Sequence, residues 1–465
     1  MRRALPVLLS AALAFAALPG NAAQGAAFTP GAAGIGDPYF PLDGNGGYDV
    51  AAYDLTLGYT PATNTLTGTA RIRAEATQDL STFNLDFRGL TVREITVNGQ
   101  PAQWTRSGAE LTVEPAAGLP DGSTFSTVVR YDGVPTRVEG VGFIHTDDGA
   151  VVVGEPHVAA TWFPVNDHPS DKASYVFRVT VPAGLEVVAN GLPRGRATAG
   201  GRTTWTWQAA EPMASYLATA TIGEFQLTSR TVDGIQYIDA LDVDLLGTST
   251  GTSAQGSFAR EPEIIAYLSS VFGPYPFSAS GGLVDDNFII GFALENQTRP
   301  IYARTFFSSP GSGTSVVAHE LAHQWYGDSV AVDAWQHIWL NEGFATYAQW
   351  LWSEHEGEAS AQEIFDDEYG RSPNDPFWDL TIGDPGPKHL FDGAVYDRGA
   401  MTLHALRGVI GDADFFALLP AWAQSREDGN GTTPEFIALA EQISGQQLDA
   451  FFDAWLFTGS KPAGF

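Results

Sequence analysis

The chain has 465 residues, more than one growing hydrophobic core holds, so two or three domains with ample buried interior are expected. Its 24 Lys and Arg face 54 Asp and Glu, and the formal net charge of -30 repels a phosphate backbone and an anionic membrane surface, which argues against nucleic acid as a partner. With no cysteine, disulfides, thiolate nucleophiles, cysteine-held metals and lipidated cysteines are all excluded, and any metal must rest on His and carboxylate.

In chain order, Arg2 and Arg3 precede an apolar run from Ala4 to Leu18, and small residues follow around Gly20, Asn21 and Ala22. This is the pattern of a secretory signal peptide over residues 1–22, cleaved after Ala22. Pro6 and Ser10 interrupt the run, which is too short for a comfortable membrane span, and no later stretch approaches one. A secreted protein without a stable membrane anchor is therefore expected.

From Tyr48 to about Arg230, stretches such as "YDVAAYDLTLGY", "TARIRAEA" and "YVFRVTVPAGLEVVANG" place apolar residues at every second position between Gly, Pro, Asn and Asp. That period predicts a β-rich domain of stacked sheets. A strand-rich bridge from about Ile235 to Glu295 follows, with a helix from Arg260 to Gly273.

After Pro310 the period becomes helical. "SPGSGTS" reads as a loop, Thr314 or Ser315 as the cap of the next helix, and Gly327 as its end. Further helical patterns run through "AWQHIWLNEGFATYAQWLWSEHEG", "GAVYDRGAMTLHALRGVIG" and "TPEFIALAEQIS". No internal repeat or long flexible linker interrupts them, so the domains are expected to pack directly on each other.

The stretch "SVVAHELAHQWYGD" carries the chemistry. His319 and His323 lie four apart, so on a helix both imidazoles face one point. Glu320 is turned about 100° around the axis, where a carboxylate can hold and deprotonate a bound water. After eighteen intervening residues, Glu342 shares a helical face with Trp335, Trp339 and Thr346. A carboxylate on an inward, tryptophan-rich face is costly unless it meets a cation or a metal. A hydrolytic zinc site takes three protein ligands and keeps a fourth position for water, so Glu342 is the candidate third ligand beside His319 and His323.

His319-Glu320-x-x-His323, eighteen residues, then Asn341-Glu342-Gly343 resembles the signature of the gluzincin aminopeptidases related to aminopeptidase N, and "HQWYGD" and "WLNEGFA" extend the likeness. The resemblance implies a multi-domain α and β fold. An N-terminal all-β sandwich or saddle domain over residues 28–230 would be followed by a thermolysin-like α+β zinc catalytic domain over residues 231–465. It further implies one zinc ion per chain on His319, His323 and Glu342, with Glu320 as general base.

"GFALENQT", from Gly291 to Thr298, is similar to the family's exopeptidase loop, usually Gly-Ala-Met-Glu-Asn, with Phe292 for Gly and Leu294 for Met. By this likeness Ala293, Glu295 and Asn296 bind substrate, Glu295 at its ammonium group. The segment beginning "EPHVAATWFPVNDHPSDKAS" offers Glu155 as the second ammonium ligand, and "AVYDRGAMTLHALR" places Tyr396 at the oxyanion. The implied activity is removal of one residue from peptides with a free N-terminus.

Two other readings stand beside it: an epoxide hydrolase like the lipid-processing members of the family, and a catalytically silent peptide-binding protein on the same fold. Larger members continue into a further β domain and a helical superhelix. This sequence has neither, which implies a more open cleft. No motif reports the preferred N-terminal side chain or the oligomeric state.

Overall fold

The computed structural model describes Met1, residues 27–287 and residues 290–463, so the expected signal peptide lies, apart from Met1, outside the described residues. Its N-terminal half is three β-sheets, of eight, five and four strands. In the largest, Tyr48–Thr60 pairs antiparallel with Thr65–Ala76 and parallel with Ala173–Pro182. Alternation decides which face is buried. A bulge between Val50 and Ala52 moves the phase by one residue. Tyr48 and Val50 before it, and Tyr53, Leu55, Leu57 and Tyr59 after it, therefore all point into the core.

The five-stranded sheet faces the C-terminal half. Its strand Ala150–Val153 is buried on both faces, as expected for a sheet covered on two sides. Ile144, Val151, Val153 and Val188 of this sheet form one core with Phe225, Ala240, Leu283, Leu294 and Ile301 of the next. The next sheet has the order Phe225–Val232, Ile235–Asp242, Leu283–Val284, Ile301–Tyr302, Ala293–Leu294. The hairpin that pairs Phe225–Val232 with Ile235–Asp242 straddles the expected boundary at 230–231, so by strand pairing the change of sheet falls near Glu224.

Among the described residues nine helices follow the sheet or interrupt it: α1 (Ser249–Phe258), α2 (Glu261–Phe272), α3 (Thr314–Ala322), α4 (Trp339–His355), α5 (Ala361–Tyr369), α6 (Gly393–Ile410), α7 (Asp412–Ser425), α8 (Thr433–Ser444) and α9 (Asp449–Phe452). Every α4 residue from Trp339 to Ala348 is buried, so this helix is central. It packs against α3 on one side and α6 on another. At the α4–α6 crossing, Gly343 and Gly399 meet backbone to backbone, and a Cβ on Gly399 would lie 2.7 Å from Gly343 Cα.

Two expected boundaries shift for tertiary reasons. Helix α3 begins at Thr314 itself, with Gly313 as its cap and no side chain capping it, because Gly313 is pressed against the Phe307 ring. Ser315 is not a cap either; its hydroxyl accepts from Gln349. Helix α4 begins at Trp339, and Trp335 sits in a separate 3-10 turn, so the two tryptophans do not share one helical face. Trp335 packs on Tyr216 of the β domain instead, and its backbone N–H donates to Asp37 at 3.0 Å.

Side chains lock the two halves together. The Lys172 ammonium group donates to the carbonyls of Asp328 and Ser329, both at 2.8 Å. Asn190 donates to the carbonyls of Leu217 (2.9 Å) and Gln297 (2.8 Å), and the Gly191 N–H donates to the Thr298 hydroxyl at 2.7 Å. No described helix is long and apolar enough to cross a membrane.

Candidate active site

Helix α3 delivers His319 near its end and His323 as its terminal cap; α4 delivers Glu342 from its first turn. Nε2 of His319 and Nε2 of His323 each lie 3.4 Å from Oε2 of Glu342. Bonds of about 2.0–2.1 Å in a tetrahedron put donor atoms about 3.4 Å apart, so these spacings are those of a zinc ligand set. The other ring nitrogens are already committed. His319 Nδ1 meets Gln349 Oε1 at 2.8 Å and His323 Nδ1 meets the Tyr326 carbonyl at 3.0 Å. Both partners accept, so each Nδ1 carries the proton and each Nε2 offers a lone pair. Glu342 Oε2 is buried without a hydrogen-bond partner. Two imidazole nitrogens and a carboxylate oxygen thus converge on one point at ligand spacing, and the residues fit zinc.

After His323 the chain leaves the helix through wider bonds: Asp328 N–H to the His323 carbonyl at 2.9 Å and Ser329 N–H to the Gln324 carbonyl at 3.1 Å. The helix therefore ends at Ala322, five residues before Gly327, its expected end. Gly327, at φ +137°, serves another purpose. A Cβ there would stand 3.1 Å from His323 Nδ1, so glycine keeps the ring free to turn toward Glu342.

A cleft of about 1080 Å³ opens over this point, lined by His319, Glu320, His323, Glu342, Glu155, Glu295 and Tyr396. Glu155 enters from the β domain, and its Oε1 is buried without a partner. Glu295 enters from the catalytic half at the end of the edge strand Ala293–Leu294; it accepts from the Tyr216 hydroxyl at 3.1 Å. Burial pushes the carboxyls of Glu155, Glu295 and Glu320 upward, and the charges of neighbouring carboxylates add to the rise. So many buried carboxyls around two histidines make a field that attracts cations. The Tyr396 ring lies 6.0 Å from that of His319 and nearly parallel to it, at 17°. Burial followed by the charge of Glu342 raises its phenol well above 10, so it keeps its proton.

Residues 50–217 match the Peptidase M1 N-terminal domain and residues 258–455 the Peptidase family M1 domain. The crystal structure of an M1 zinc metallopeptidase from Deinococcus radiodurans superposes with a TM-score of 0.81 at 30% identity, over 91% of this chain and 97% of that one. The chain belongs to peptidase family M1. A mutant of the Deinococcus enzyme bound to a Tyr-Ser-Ala substrate aligns equally well, with a TM-score of 0.82 at 30% identity and the same coverage. Among curated relatives, rice aminopeptidase M1-A is 29% identical over 66% of this chain and 36% of its own length. Arabidopsis thaliana aminopeptidase M1 is 25% identical over 87% and 49%. The chain thus spans about a third to a half of the length of these relatives.

In this M1 chain, Ala293, Phe292 and Leu294 line the cleft, as does Glu295. Asn296 does not: its side chain is fully buried and donates to the Leu217 carbonyl at 2.9 Å, so it fastens the loop to the β domain and does not face substrate. Three residues that sequence reasoning passed over complete the site. Gln349 orients His319, Tyr216 holds Glu295, and Gln324 donates to the Glu295 carbonyl at 3.0 Å while accepting from Thr298 N–H at 2.8 Å. Gln349 left a signal: it lies seven residues after Glu342, on the same face of α4.

Proposed function

We propose that this M1 chain is a secreted, zinc-dependent aminopeptidase that removes the N-terminal residue of peptides. The observation that carries the reading is the convergence, in one cleft, of a three-donor zinc set and two further carboxylates from opposite halves of the chain. Glu155 has a buried oxygen without a partner and Glu295 faces it across the cleft from the other domain, a pair suited to a substrate α-ammonium group. The Tyr-Ser-Ala complex of the similar Deinococcus enzyme supports a peptide as substrate.

Zinc, when held by His319, His323 and Glu342, supplies a Lewis acid that lowers the pKa of water and polarises a carbonyl. Glu320, on the same helix as both histidines, accepts the proton of the attacking water at its carboxylate and returns it to the leaving amine. The Tyr396 hydroxyl donates to the carbonyl oxygen as charge develops there. Glu155 and Glu295 fix the ammonium, so the first peptide bond is the one presented. Export is read from Arg2, Arg3 and the apolar run to Leu18, and N-terminal sequencing of secreted material should begin at Ala23.

The deciding assay compares a free-amine aminoacyl chromophore with its N-acetylated form, on wild type and on Glu320→Gln, with and without chelator. Turnover of the free amine only, lost with chelator and in Glu320→Gln while bound zinc is retained, is expected. Equal cleavage of the acetylated compound would sink the exopeptidase assignment, and near-normal rates in Glu320→Gln the base assignment.

A further inference from the structure

We propose a second metal site, for a hard cation of the calcium class, held by Asp242, Asp285 and Asp286 at one edge of the domain seam. Strand Ile235–Asp242 runs parallel to Leu283–Val284, with Ala240 opposite Leu283 and Leu241 opposite Val284. That register sets Asp242 and Asp285 side by side where both strands end, with Asp286 next in the chain. One carboxylate oxygen from each of the three lies within 4.8 Å of the others. No residue is shared with His319, His323 and Glu342.

An acidic cluster alone is ordinary in a chain of this charge, but one of its members is built as a ligand. Asp285 is 3% exposed. Its Oδ1 accepts from both the backbone (2.9 Å) and the side chain of Asn287, while Oδ2 has no hydrogen-bond partner. Asp242, also 3% exposed, accepts from the Asp244 N–H at 2.8 Å. Carboxylates of Asp147, Asp148 and Asp244 act on the same groups. Burial, and then this like charge, pushes Asp285 up to about 6 and Asp242 up to about 7. Arg304 supplies one positive charge and donates to the Asp286 carbonyl at 2.6 Å.

The donors are all oxygen, with no imidazole, so a hard cation is selected over zinc. Calcium accepts irregular shells of 6–8 oxygens at the end of a sheet, where magnesium demands a regular octahedron. Asp148 lies in the β-domain turn after strand Val141–His145 and accepts from Glu224 N–H at 2.5 Å. The ion would neutralise carboxylates that otherwise repel across the seam. Asp285 stands ten residues before Glu295, so it would also anchor the start of the segment that carries the ammonium ligand.

The test uses the full, zinc-saturated chain. Calcium titrated by calorimetry should bind one ion per chain with a dissociation constant of about 10⁻⁵–10⁻³ M and raise Tm by about 2–4 °C at saturation. Magnesium should bind at least tenfold more weakly. Asp285→Asn keeps the acceptor for Asn287 and removes a charge; it should lose tenfold or more in calcium affinity while its calcium-free Tm equals or exceeds that of wild type. Asp286→Asn, at a less buried position, provides the same comparison if Asp285→Asn fails to fold. The proposal is overturned by no saturable binding up to 10 mM calcium, by undiminished affinity in these variants, by magnesium binding as tightly, or by a signal that vanishes only in Glu342→Gln.

Discussion

Gly399→Ala tests whether the α4–α6 crossing sets the catalytic geometry. Gly343 follows Glu342 directly, and Gly399 lies three residues after Tyr396, so the contact between these glycines fixes how far the zinc ligand stands from the phenol. The added methyl would meet Gly343 Cα at 2.7 Å, against an optimal carbon separation of about 3.5–4.0 Å. The obstacle is backbone, so the helices must part by about 1 Å, at a cost of about 1–3 kcal/mol. A displacement of that size between reacting groups costs on the order of 100-fold in rate. Gly408→Ala is the control, because Gly408 lies on the same helix and, apart from its own turn of helix backbone, nothing stands within 4 Å of its Cβ position. There the substitution should only gain helix propensity, about 0.5–1 kcal/mol. Thermal unfolding and kcat on a free-amine aminoacyl chromophore are measured for both. A Gly399→Ala protein with Tm and kcat as high as those of Gly408→Ala would refute the reasoning.

Gln349→Leu should weaken zinc binding about 10–100-fold in chelator competition, since His319 loses the acceptor that orients it; unchanged affinity would remove Gln349 from the site. Tyr396→Phe should lose about 10²–10³-fold in kcat with KM little changed, and an unchanged kcat would discard the oxyanion role. Asp37 concerns stability: burial raises its carboxyl, but bonds from His168 and the N–H groups of Phe40, Trp335 and Tyr39 outweigh burial and hold it at about 2. A carboxyl lowered from 3.8 contributes stability above pH 3.8 that is lost as pH falls through about 2. The Tm gap between wild type and Asp37→Asn should therefore be widest above pH 4 and shrink steadily toward pH 2. A gap independent of pH would contradict this.

The zinc helix was legible because its information is local: four residues between imidazoles and a carboxylate on an inward face need only helical geometry. The β domain was legible for the same reason, through its period of two, although the bulge at Val50 was not. What escaped was set by distant contacts. Thr314 has the chemistry of a cap, yet Phe307 moves the helix start. Trp335 fits the helical period, yet Tyr216 and Asp37 draw it into a separate turn. Asn296 sits beside a carboxylate of the cleft, but a carbonyl 79 residues away claims its side chain. The cluster of Asp242 and Asp285 depends on a strand register that no spacing in the chain encodes.

The seam made by Lys172 and Asn190 has a bearing on the site it borders. Glu155 and Glu295 belong to different domains, so the gap between them is a caliper whose opening is set by how those domains are bolted together, and not by any hinge within the site. With no cysteine in the chain, the bolts are amine and amide hydrogen bonds to backbone carbonyls, indifferent to the redox state of the surroundings. In the proposed reaction, slackening them shows first as a poorer grip on the substrate amine, while the metal helix keeps its chemistry intact.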